Sequence, residues 1–488
     1  MAQIPDSDLS AAAQPLYVQV ADRVEAMIDG GTFRPGDRIP SVRKLSDQLS
    51  VSVTTVLEAY RLLESRRRIE PRPQSGFYVR RLASLPDLPT TSISGKEPVP
   101  IESDDLVIAI TEEADRPGLI PLGAATPGVE FLPIERLNRF LARVIRQDPS
   151  SSHSYDSLSG VHALRVMIAR RMLEAGCSVS PDAIVTTAGA TAAIGLCLRA
   201  VTKPGDTVAV ESPTYYGLLE AIEALHLRAI EVATCPREGV LLDELARVID
   251  EQPIAACAFV PNHGNPLGHC MADEKKRDLV ALLAQHDIPL IEDDAYGDLT
   301  FGDKRPRSVS SFDPDGNVLY CSSFSKTLAP GLRVGWAIPG RHLERVKRLK
   351  FSSFVATPTC TQMAAAEFLE HGGFDPHLRS LRRKYRDLVA RTTEVVAEEF
   401  PEGTKSTRPV GGHVLWVEMP EEVDALELRK RAAAAGIGIV PGPVFSPTRR
   451  YGNCIRLNCA LQWSDRVDHA IRTLGRLAGE MVMERRDS

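Results

Sequence analysis

Lys326 is the residue of this 488-residue chain whose surroundings most strongly indicate chemistry. It follows an apolar run that is typical of a buried strand, and Pro330-Gly331 breaks the chain shortly after it. A lysine in this position can be desolvated and flanked by cations, which makes its amine nucleophilic enough to form a Schiff base. The hydroxyls of Ser323 and Ser325 and the guanidinium of Arg333 are groups that bind a phosphate monoester. The alternative, a solvated lysine at a strand end, is the usual interpretation of a lone lysine, but the complete motif disfavours it.

The elements that must position these residues alternate between short apolar strands and longer helical segments. This alternation predicts an α/β fold whose mostly parallel sheet is covered by helices on both faces. Ligands of such sheets bind beyond the carboxyl ends of the strands. The predicted strands are residues 183–187, 207–211, 255–260, 289–292, 318–322 and 334–338.

Residues that could bind a cofactor follow the first three of these strands. Ala190 and Thr191 open a helix after a glycine turn, where backbone N–H groups and the helix dipole bind phosphate. Such helix starts are also common without a ligand, so this signal is weak alone. Tyr215 offers a ring that can stack on a planar cofactor, and Asn265 offers an amide from a strained turn. We interpret His263 and His269, in the same stretch, as turn residues and not as ligands.

The fourth strand ends in the acidic run Glu292-Asp293-Asp294, which Tyr296 follows. Burial of these carboxylates is costly without a cationic partner. A protonated ring nitrogen is one such partner.

Together these residues resemble the class I/II aminotransferases, which are fold-type I enzymes that use pyridoxal 5′-phosphate (PLP). The matching patterns are Asn-Pro-x-Gly, Asp-x-x-Tyr and Ser-x-Ser-Lys-x-x-x-Pro-Gly-x-Arg-x-Gly, and the match spans about residues 119–474. The resemblance implies a PLP-binding domain over residues 105–488, with a large part at about 105–340 and a smaller α/β part at about 341–488. In the smaller part we predict helices at 350–369 and 377–400 and strands at 411–418 and 453–458.

The resemblance also implies a role for each matching residue. Lys326 forms the internal aldimine, Asp293 keeps the pyridine nitrogen protonated, and both belong with Tyr296 to the catalytic set. Asp294 competes with Asp293, and the three-residue spacing to Tyr296 favours Asp293. Arg456 clamps the α-carboxylate of the substrate, with a structural arginine as the alternative. The other cofactor contacts are ring stacking by Tyr215, phenolate hydrogen bonds from Asn265 and Tyr296, and phosphate contacts from Ala190, Thr191, Ser323, Ser325 and Arg333.

Residues 15–81 have the pattern of a winged helix-turn-helix. A first apolar helical pattern ends at Gly30-Gly31, and Ser41 caps a short second helix. Ser52 caps a third helix, whose inward residues are Val56, Ala59, Tyr60 and Leu63. Two short helices joined by a brief turn are typical of DNA-binding units in which the second helix enters the major groove. Residues 69–72 and 77–80 are predicted to form a two-stranded wing.

This segment is basic inside a chain whose formal net charge is −6. Between positions 33 and 81 there are 11 lysine and arginine residues against five acidic residues. Such an excess favours phosphate contacts, so we expect DNA affinity to fall with salt. The alternatives are a winged helix used in protein contacts and, for Arg66-Arg67-Arg68, an ordinary solvated face.

The runs Arg34-Pro35-Gly36-Asp37-Arg38-Ile39-Pro40-Ser41-Val42-Arg43 and Ser52-Val53-Thr54-Thr55-Val56 resemble the winged helix of the GntR family. At Val53 the family usually has an arginine that contacts a base or a phosphate, and this departure leaves the operator sequence open. The residues that the resemblance implies at the DNA interface are Ser41, Arg43, Val53, Thr54, Thr55 and, in the wing, Gln74, Ser75 and Gly76.

A GntR-like winged helix fused to an aminotransferase-like domain resembles the MocR subfamily of bacterial transcription regulators. The resemblance implies a homodimer that binds operator DNA and senses an amino acid or amine through an external aldimine with PLP. The alternatives are an active transaminase that carries a winged helix and a protein-interaction adaptor with an inactive PLP fold. Residues 1–14 are expected to be a disordered lead-in, and 82–104 a flexible or extended linker.

Composition narrows the cellular setting. The N-terminus has neither a basic segment nor an apolar core, so we expect no signal peptide. The longest uncharged run, 183–198, is shorter than the roughly 20 apolar residues of a membrane span, so no membrane partner is expected. Nine cysteines without a Cys-x-x-Cys pair favour reduced thiols in the cytoplasm and no metal site.

Overall fold

The computed structural model describes residues 14–66, 68–72, 75–80, 84–101, 105–113 and 116–487. The chain divides into two units, Met1–Leu85 and Pro86–Ser488. Among the described residues no helix is long and apolar enough to cross a membrane. No cluster of metal-ligating side chains occurs in the same residues, and all nine cysteines are free thiols.

The N-terminal unit is a winged helix-turn-helix, as the sequence predicts. Ser41 and Ser52 cap the second and third helices by accepting hydrogen bonds from the backbone N–H groups of Lys44 and Thr55. Tyr60 anchors the core, since its hydroxyl donates to the Pro40 carbonyl at 2.6 Å. The elements are α1 Leu16–Asp29, α2 Val42–Leu49, α3 Val53–Ser65, β1 Ile69–Arg72 and β2 Gly76–Val79.

The second unit is built on a nine-stranded sheet whose path runs β3-β7-β6-β9-β10-β11-β12-β5, with β8 paired to β7. Neighbouring strands from β7 to β11 pair in parallel, whereas β12 is antiparallel to β11 and β5. This confirms the predicted mostly parallel sheet. The strands are β3 Val99–Pro100, β4 Ile120–Pro121 (outside the large sheet), β5 Val185–Thr187, β6 Thr207–Ser212, β7 Arg228–Cys235, β8 Gly239–Val240, β9 Ile254–Phe259, β10 Leu290–Asp293, β11 Val318–Ser323 and β12 Gly335–Ile338.

Helices pack on both faces of this sheet and form its buried apolar layers. The helices up to the end of the large sheet are α4 Asp105–Glu113, α5 Ile134–Gln147, α6 Pro149–His153, α7 His162–Met172, α8 Ala190–Val201, α9 Tyr216–Glu223, α10 Leu242–Glu251 and α11 Asp273–Gln285. The helices that follow are α12 Leu343–Phe354, α13 Thr359–His371, α14 Phe374–Glu399, α15 Ala425–Ala434 and α16 Asp465–Arg486.

A smaller four-stranded sheet, ordered β13-β14-β17-β16, follows the large one along the chain. It forms a separate buried core with α14, α15 and α16. A short parallel pair joins β15 to β4. The strands are β13 Lys405–Ser406, β14 Val414–Glu418, β15 Ile437–Gly438, β16 Val440–Pro441 and β17 Cys454–Asn458.

Two details differ from the sequence-based expectations, and a third decides between two alternatives that the sequence left open. Strand β7 lies inside the large sheet and was missed. The single helix predicted at 350–369 is wrong, because Val355 has φ +57° and separates α12 from α13. The sequence left open whether the linker is flexible or extended. Where it is hydrogen-bonded to the large sheet, the linker is extended: Ser92 and Gly95 form hydrogen bonds with β7, and β3 pairs with β7.

Candidate functional site

A cavity of about 370 Å³ lies at the carboxyl ends of the central parallel strands. This size falls within the range of about 300–1,000 Å³ that is typical of small-molecule sites. The structure brings to its wall all ten residues for which the sequence predicted a cofactor contact. They are Ala190, Thr191, Tyr215, Asn265, Asp293, Tyr296, Ser323, Ser325, Lys326 and Arg333.

Lys326 follows β11 and lines the cavity. Its Nζ donates a hydrogen bond of 2.6 Å to the carbonyl of Ala125, which also lines the cavity. Burial lowers the pKa of Lys326 to about 8, and the guanidinium groups of Arg456 and Arg333 act in the same direction. The carboxyl of Asp293 opposes them. At neutral pH a useful fraction of this amine is therefore uncharged and nucleophilic.

Asp293 and Asp294, at the end of β10, have different surroundings. Asp293 lies on the cavity wall, and burial raises the pKa of its carboxyl to about 7, although the Ala295 N–H donates to it at 3.1 Å. Asp294 is absent from the wall: it is buried in an ion pair with Arg305 and accepts from the Tyr320 hydroxyl at 2.8 Å. Only Asp293 is therefore placed to face a cofactor.

Two tyrosines, Tyr215 and Tyr296, line the cavity. The Tyr296 hydroxyl is buried and has no hydrogen-bond partner among the described residues. Burial raises the pKa values of Tyr296 and Tyr215, so both phenols keep their protons at neutral pH and can donate hydrogen bonds to a ligand. Asn265 lies on the same wall, with its Oδ1 accepting from Arg456 Nη1 at 2.9 Å.

One group of lining residues, around the N-terminus of α8 and Arg333, is suited to an anion. Gly189 has φ +97° and precedes the N-terminus of α8, where Ala190 and Thr191 line the cavity. A Cβ at Gly189 would lie 2.6 Å from Arg333 Nη2, so the turn and the guanidinium need the glycine. The helix N-terminus, the hydroxyls of Ser323 and Ser325, and this arginine can hold a phosphate.

Arg456, on β17, lies just behind the wall and not among its lining residues. Its side chain is fully buried; Nη1 donates to Asn265 Oδ1, and Nη2 donates to the Gly123 carbonyl at 2.6 Å. Both partners are neutral oxygens. A carboxylate that enters beside Asn265 would find a guanidinium without an acidic partner among the described side chains.

Sequence reasoning missed the part of the wall that comes from outside the motifs. Ile110 and Thr111 on α4, the segment 124–126 and Tyr216 line the cavity. The apolar spacing of Leu106, Val107 and Ile110 signals an amphipathic helix and could have been found. That it packs beside Tyr216 and Trp416 depends on tertiary contacts that no local pattern shows.

In the N-terminal unit, the predicted DNA-contacting residues that are described lie on or near the surface. Ser41, Arg43, Val53 and Thr54 are exposed, with Val53 at 51%, and Thr55 is half-buried. In the wing, Ser75 and Gly76 are half-buried beside β2, while Gln74 lies outside the described residues.

The basic run 66–68 is explained in part by internal ion pairs. Arg66 pairs with Asp22 and Glu25 on α1, and Arg68 pairs with Glu25 and Asp29. These two side chains therefore fasten α1 to the end of α3. We therefore interpret Arg66 and Arg68 as structural residues, and not as a solvated surface or as contacts to DNA phosphates.

Comparisons with known proteins agree with this architecture. Residues 130–474 match the family model "Aminotransferase class I and II", and residues 16–79 match "Bacterial regulatory proteins, gntR family". The chain is 39% identical over 459 residues to the uncharacterized HTH-type transcriptional regulator YjiR of Escherichia coli, covering 94% of this chain and 98% of that one. The uncharacterized regulator YdcR of the same organism is 39% identical over 467 residues, which are 96% of this chain and 99% of YdcR.

This chain belongs to the MocR-type subfamily of the GntR regulators. Solved structures similar to it include LysN, the alpha-aminoadipate aminotransferase of Thermus thermophilus in complex with N-(5′-phosphopyridoxyl)-L-leucine. That structure has a TM-score of 0.73 and 27% identity, and the match covers 78% of this chain and 96% of that one.

PLP is the cofactor of this MocR-type chain, and the residues of the cavity fit it. Lys326 would supply the amine, Asp293 a buried carboxyl for the ring nitrogen, and Tyr296 a hydroxyl that has no partner among the described residues. The phosphate would lie at the N-terminus of α8 with Arg333. When bound, PLP supplies an aldehyde that reacts with amines and a ring that withdraws electrons.

Proposed function

We propose that this MocR-type regulator binds operator DNA as a homodimer and senses an amino acid or amine through its PLP site. The observation that supports this most is that one chain carries both a helix-turn-helix, with Arg43 on α2 and Thr54 on α3 at the surface, and a cavity around the amine of Lys326. An amine that takes the place of Lys326 at the cofactor gives the protein a chemical signal.

Thermodynamic linkage limits how this signal can act. An amino compound shifts the DNA-binding unit only if it binds one conformation of the cavity more tightly than another. A shift from 1:99 to 99:1 needs about 5.5 kcal/mol of such preference. The neutral partners of Arg456 support a site whose contacts change when a carboxylate enters.

A homodimer is consistent with both parts of the proposal, DNA binding and amine sensing. Tyr155 is 84% exposed and Val129 is 68% exposed, and a second copy would bury such apolar surfaces. Two reading helices would then require half-sites about 34 Å apart along the duplex, or a multiple of that distance. Nine free cysteines support a reducing compartment, and we place the regulator in the cytoplasm, where its DNA is.

Transamination is the second candidate function. It is favoured by the placement of Lys326, Asp293 and Tyr296 on one cavity wall and by relatives such as the 2-aminoadipate transaminase of Thermus thermophilus, which is 29% identical over 367 residues. The lowered pKa of Lys326 suits proton transfer as well as amine exchange.

Two measurements on the purified protein separate the candidates. The first is the affinity for the DNA upstream of its own gene, with and without PLP and a panel of amino acids. The second is amino-group transfer from the same panel to an added keto acid, which accepts the amino group and allows repeated turnover. A change of DNA affinity that requires PLP and is abolished in Lys326→Ala supports the regulator. Multiple turnovers without specific DNA retention contradict it and support the transaminase.

A further inference from the structure

The part of the linker that lies in the second unit runs along one edge of β7 in the large sheet. The Ser92 N–H donates to the Thr234 carbonyl at 3.2 Å, and the Thr234 N–H donates back to Ser92 Oγ at 2.8 Å. The Gly95 N–H donates to the Glu231 carbonyl at 2.8 Å, and β3 then continues along β7 as an antiparallel pair. The linker is therefore fixed to the sheet before β3 begins.

Residues 92–95 are held mainly by hydrogen bonds. Ser94 is buried, and its Oγ accepts from the Ala233 N–H at 2.9 Å and donates to Glu244 on α10 at 2.8 Å. The side chain of Ile93, which lies between the two serines, is 77% exposed and buries little apolar surface. A segment with few buried apolar contacts opens more readily than a core strand. Its attachment therefore depends on the polar groups that hold it.

The linker is also attached to the small sheet. The Ser406 N–H on β13 donates to the Asp87 carbonyl at 2.9 Å, and Arg408 Nη2 donates to the Pro86 carbonyl at 3.4 Å. The small and the large sheet have separate buried cores. The stretch 86–95 thus connects two sheets, and a displacement of one sheet against the other would stretch or release it.

Arg450, in the loop before β17, binds the middle of this stretch. Its Nη1 donates to the Ile93 carbonyl at 2.6 Å, and its Nε lies 3.6 Å from the carboxylate of Glu231 on β7. That carboxylate is 1% exposed and also accepts from Thr448 Oγ1 at 2.8 Å and Ser212 Oγ at 2.7 Å. A buried carboxylate is stable only with such partners. Glu231 therefore keeps the arginine within reach of the linker.

The same loop contacts the cavity wall. The Tyr451 hydroxyl lies 2.6 Å from Ser212 Oγ at the end of β6, and the Thr214 N–H donates to the Phe445 carbonyl at 2.9 Å. The ring of Phe445 lies 5.6 Å from that of Tyr216, which lines the cavity. A ligand that moves this part of the wall would therefore act on the loop that holds the linker.

Building on the proposed function, we infer that Arg450 is a latch. It fixes linker residues 92–95 on β7, and an amine that occupies the cavity changes how firmly they are held. The chain runs from the winged helix into this segment, so the change acts on the DNA-binding unit through the backbone. The amine needs only to bind the fixed and the released states of the linker with different affinities.

Hydrogen exchange of the full-length holo-protein tests whether Arg450 holds the linker. The Ser92 and Gly95 amides are followed on peptides within residues 84–101. Arg450→Ala should raise their exchange by about ten-fold, which corresponds to about 1.4 kcal/mol of lost protection. The cofactor absorbance and the exchange of β14 should not change. Equal increases in β14 and the linker would indicate a general loss of stability and would overturn the latch.

Two further variants make this measurement specific. Arg450→Lys keeps a cation beside Glu231, but an ammonium lacks the guanidinium fork that reaches both partners, so its exchange should lie between those of Arg450→Ala and the wild type. Arg476→Ala removes an exposed arginine of α16 that bonds to Thr473, and should exchange as the wild type does. Exchange at the wild-type level in Arg450→Ala overturns the latch.

The response to an amine tests the signalling role. An amine that alters the cofactor absorbance should change exchange at Ser92 and Gly95 and DNA affinity in the wild type. In Arg450→Ala the same amine should still alter the absorbance but no longer alter DNA affinity; an undiminished effect on DNA affinity overturns the inference. If no amine alters DNA affinity in the wild type, the proposed sensing fails and the signalling role fails with it. The exchange of the amine-free variants still decides whether Arg450 holds the linker.

Discussion

The reactivity of Lys326 should follow a pKa near 8 and not the ordinary lysine value. Burial is the main cause, with Arg456 adding to it and Asp293 opposing it. Charge substitutions at these two positions should therefore move the pKa of Lys326 in opposite directions. Arg456→Gln removes a cation and raises it, whereas Asp293→Asn removes an anion and lowers it.

The magnitude follows from the fraction of neutral amine. At pH 7 a group of pKa about 8 is neutral in roughly one molecule in ten, against roughly one in three thousand for a pKa of 10.5. Lys326 should therefore react with the PLP aldehyde about 300-fold faster at pH 7 than an ordinary lysine of equal intrinsic reactivity. Above pH 8 the rate should level off.

The assay is stopped-flow absorbance after mixing the cofactor-free protein with PLP between pH 6 and 10. Borohydride reduction and mass spectrometry then locate the modified lysine. We expect a bend near pH 8, at higher pH in Arg456→Gln and at lower pH in Asp293→Asn. Lys350→Met is the control, because burial also lowers the pKa of Lys350 to about 8 although it lies outside the cavity. A rate that climbs through pH 9.5 without a bend, or variants that shift the same way, would refute the reasoning.

Three further predictions test other parts of the structure. Gly189→Ala should weaken PLP binding at least about ten-fold in an absorbance titration, since the residue has φ +97° and its Cβ would meet Arg333; Gly195→Ala, where a Cβ meets open space, should not. Ser52→Ala should cost the DNA-binding unit about 1 kcal/mol in urea unfolding, because it removes the cap of α3, and Ser52→Asp should restore most of it. Arg305→Met should lower stability by about 3–5 kcal/mol in the same assay, since it leaves a carboxylate buried without a cation.

The site could be predicted from the sequence because parallel strands bring their ends together. Ala190, Asp293 and Lys326 are far apart in the chain, yet each follows a strand of one sheet, so they meet at a single edge. Each also lies in a short motif whose local geometry is set by its own glycines, prolines and hydroxyl residues. The short sequence motifs and the order of the strands in the sheet therefore predicted the same cavity.

What could not be predicted depends on distant partners. Strand β7 was missed because Glu231 interrupts its apolar run. That carboxylate can be buried because Ser212 and Thr448, the latter 217 residues away, donate to it and Arg450 lies beside it. Arg66 and Arg68 looked like DNA contacts because the acids of α1 that pair with them lie about 40 residues earlier. The sequence shows the sign of each charged side chain, but it does not show which side chain will pair with it in the fold.

The acidic end of β10 shows how such partners decide function. Side chains alternate along a strand, so Glu292 and Asp294 face one side and Asp293 faces the other. On the first side Glu292 accepts from the N–H groups of Val309 and Ser310, at 2.8 and 3.0 Å, and Asp294 pairs with Arg305. These contacts hold the end of the strand in place, and Asp293, on the other side, lines the cavity. The three-residue spacing to Tyr296 selected the same residue, because it matches the Asp-x-x-Tyr pattern of the class I/II aminotransferases.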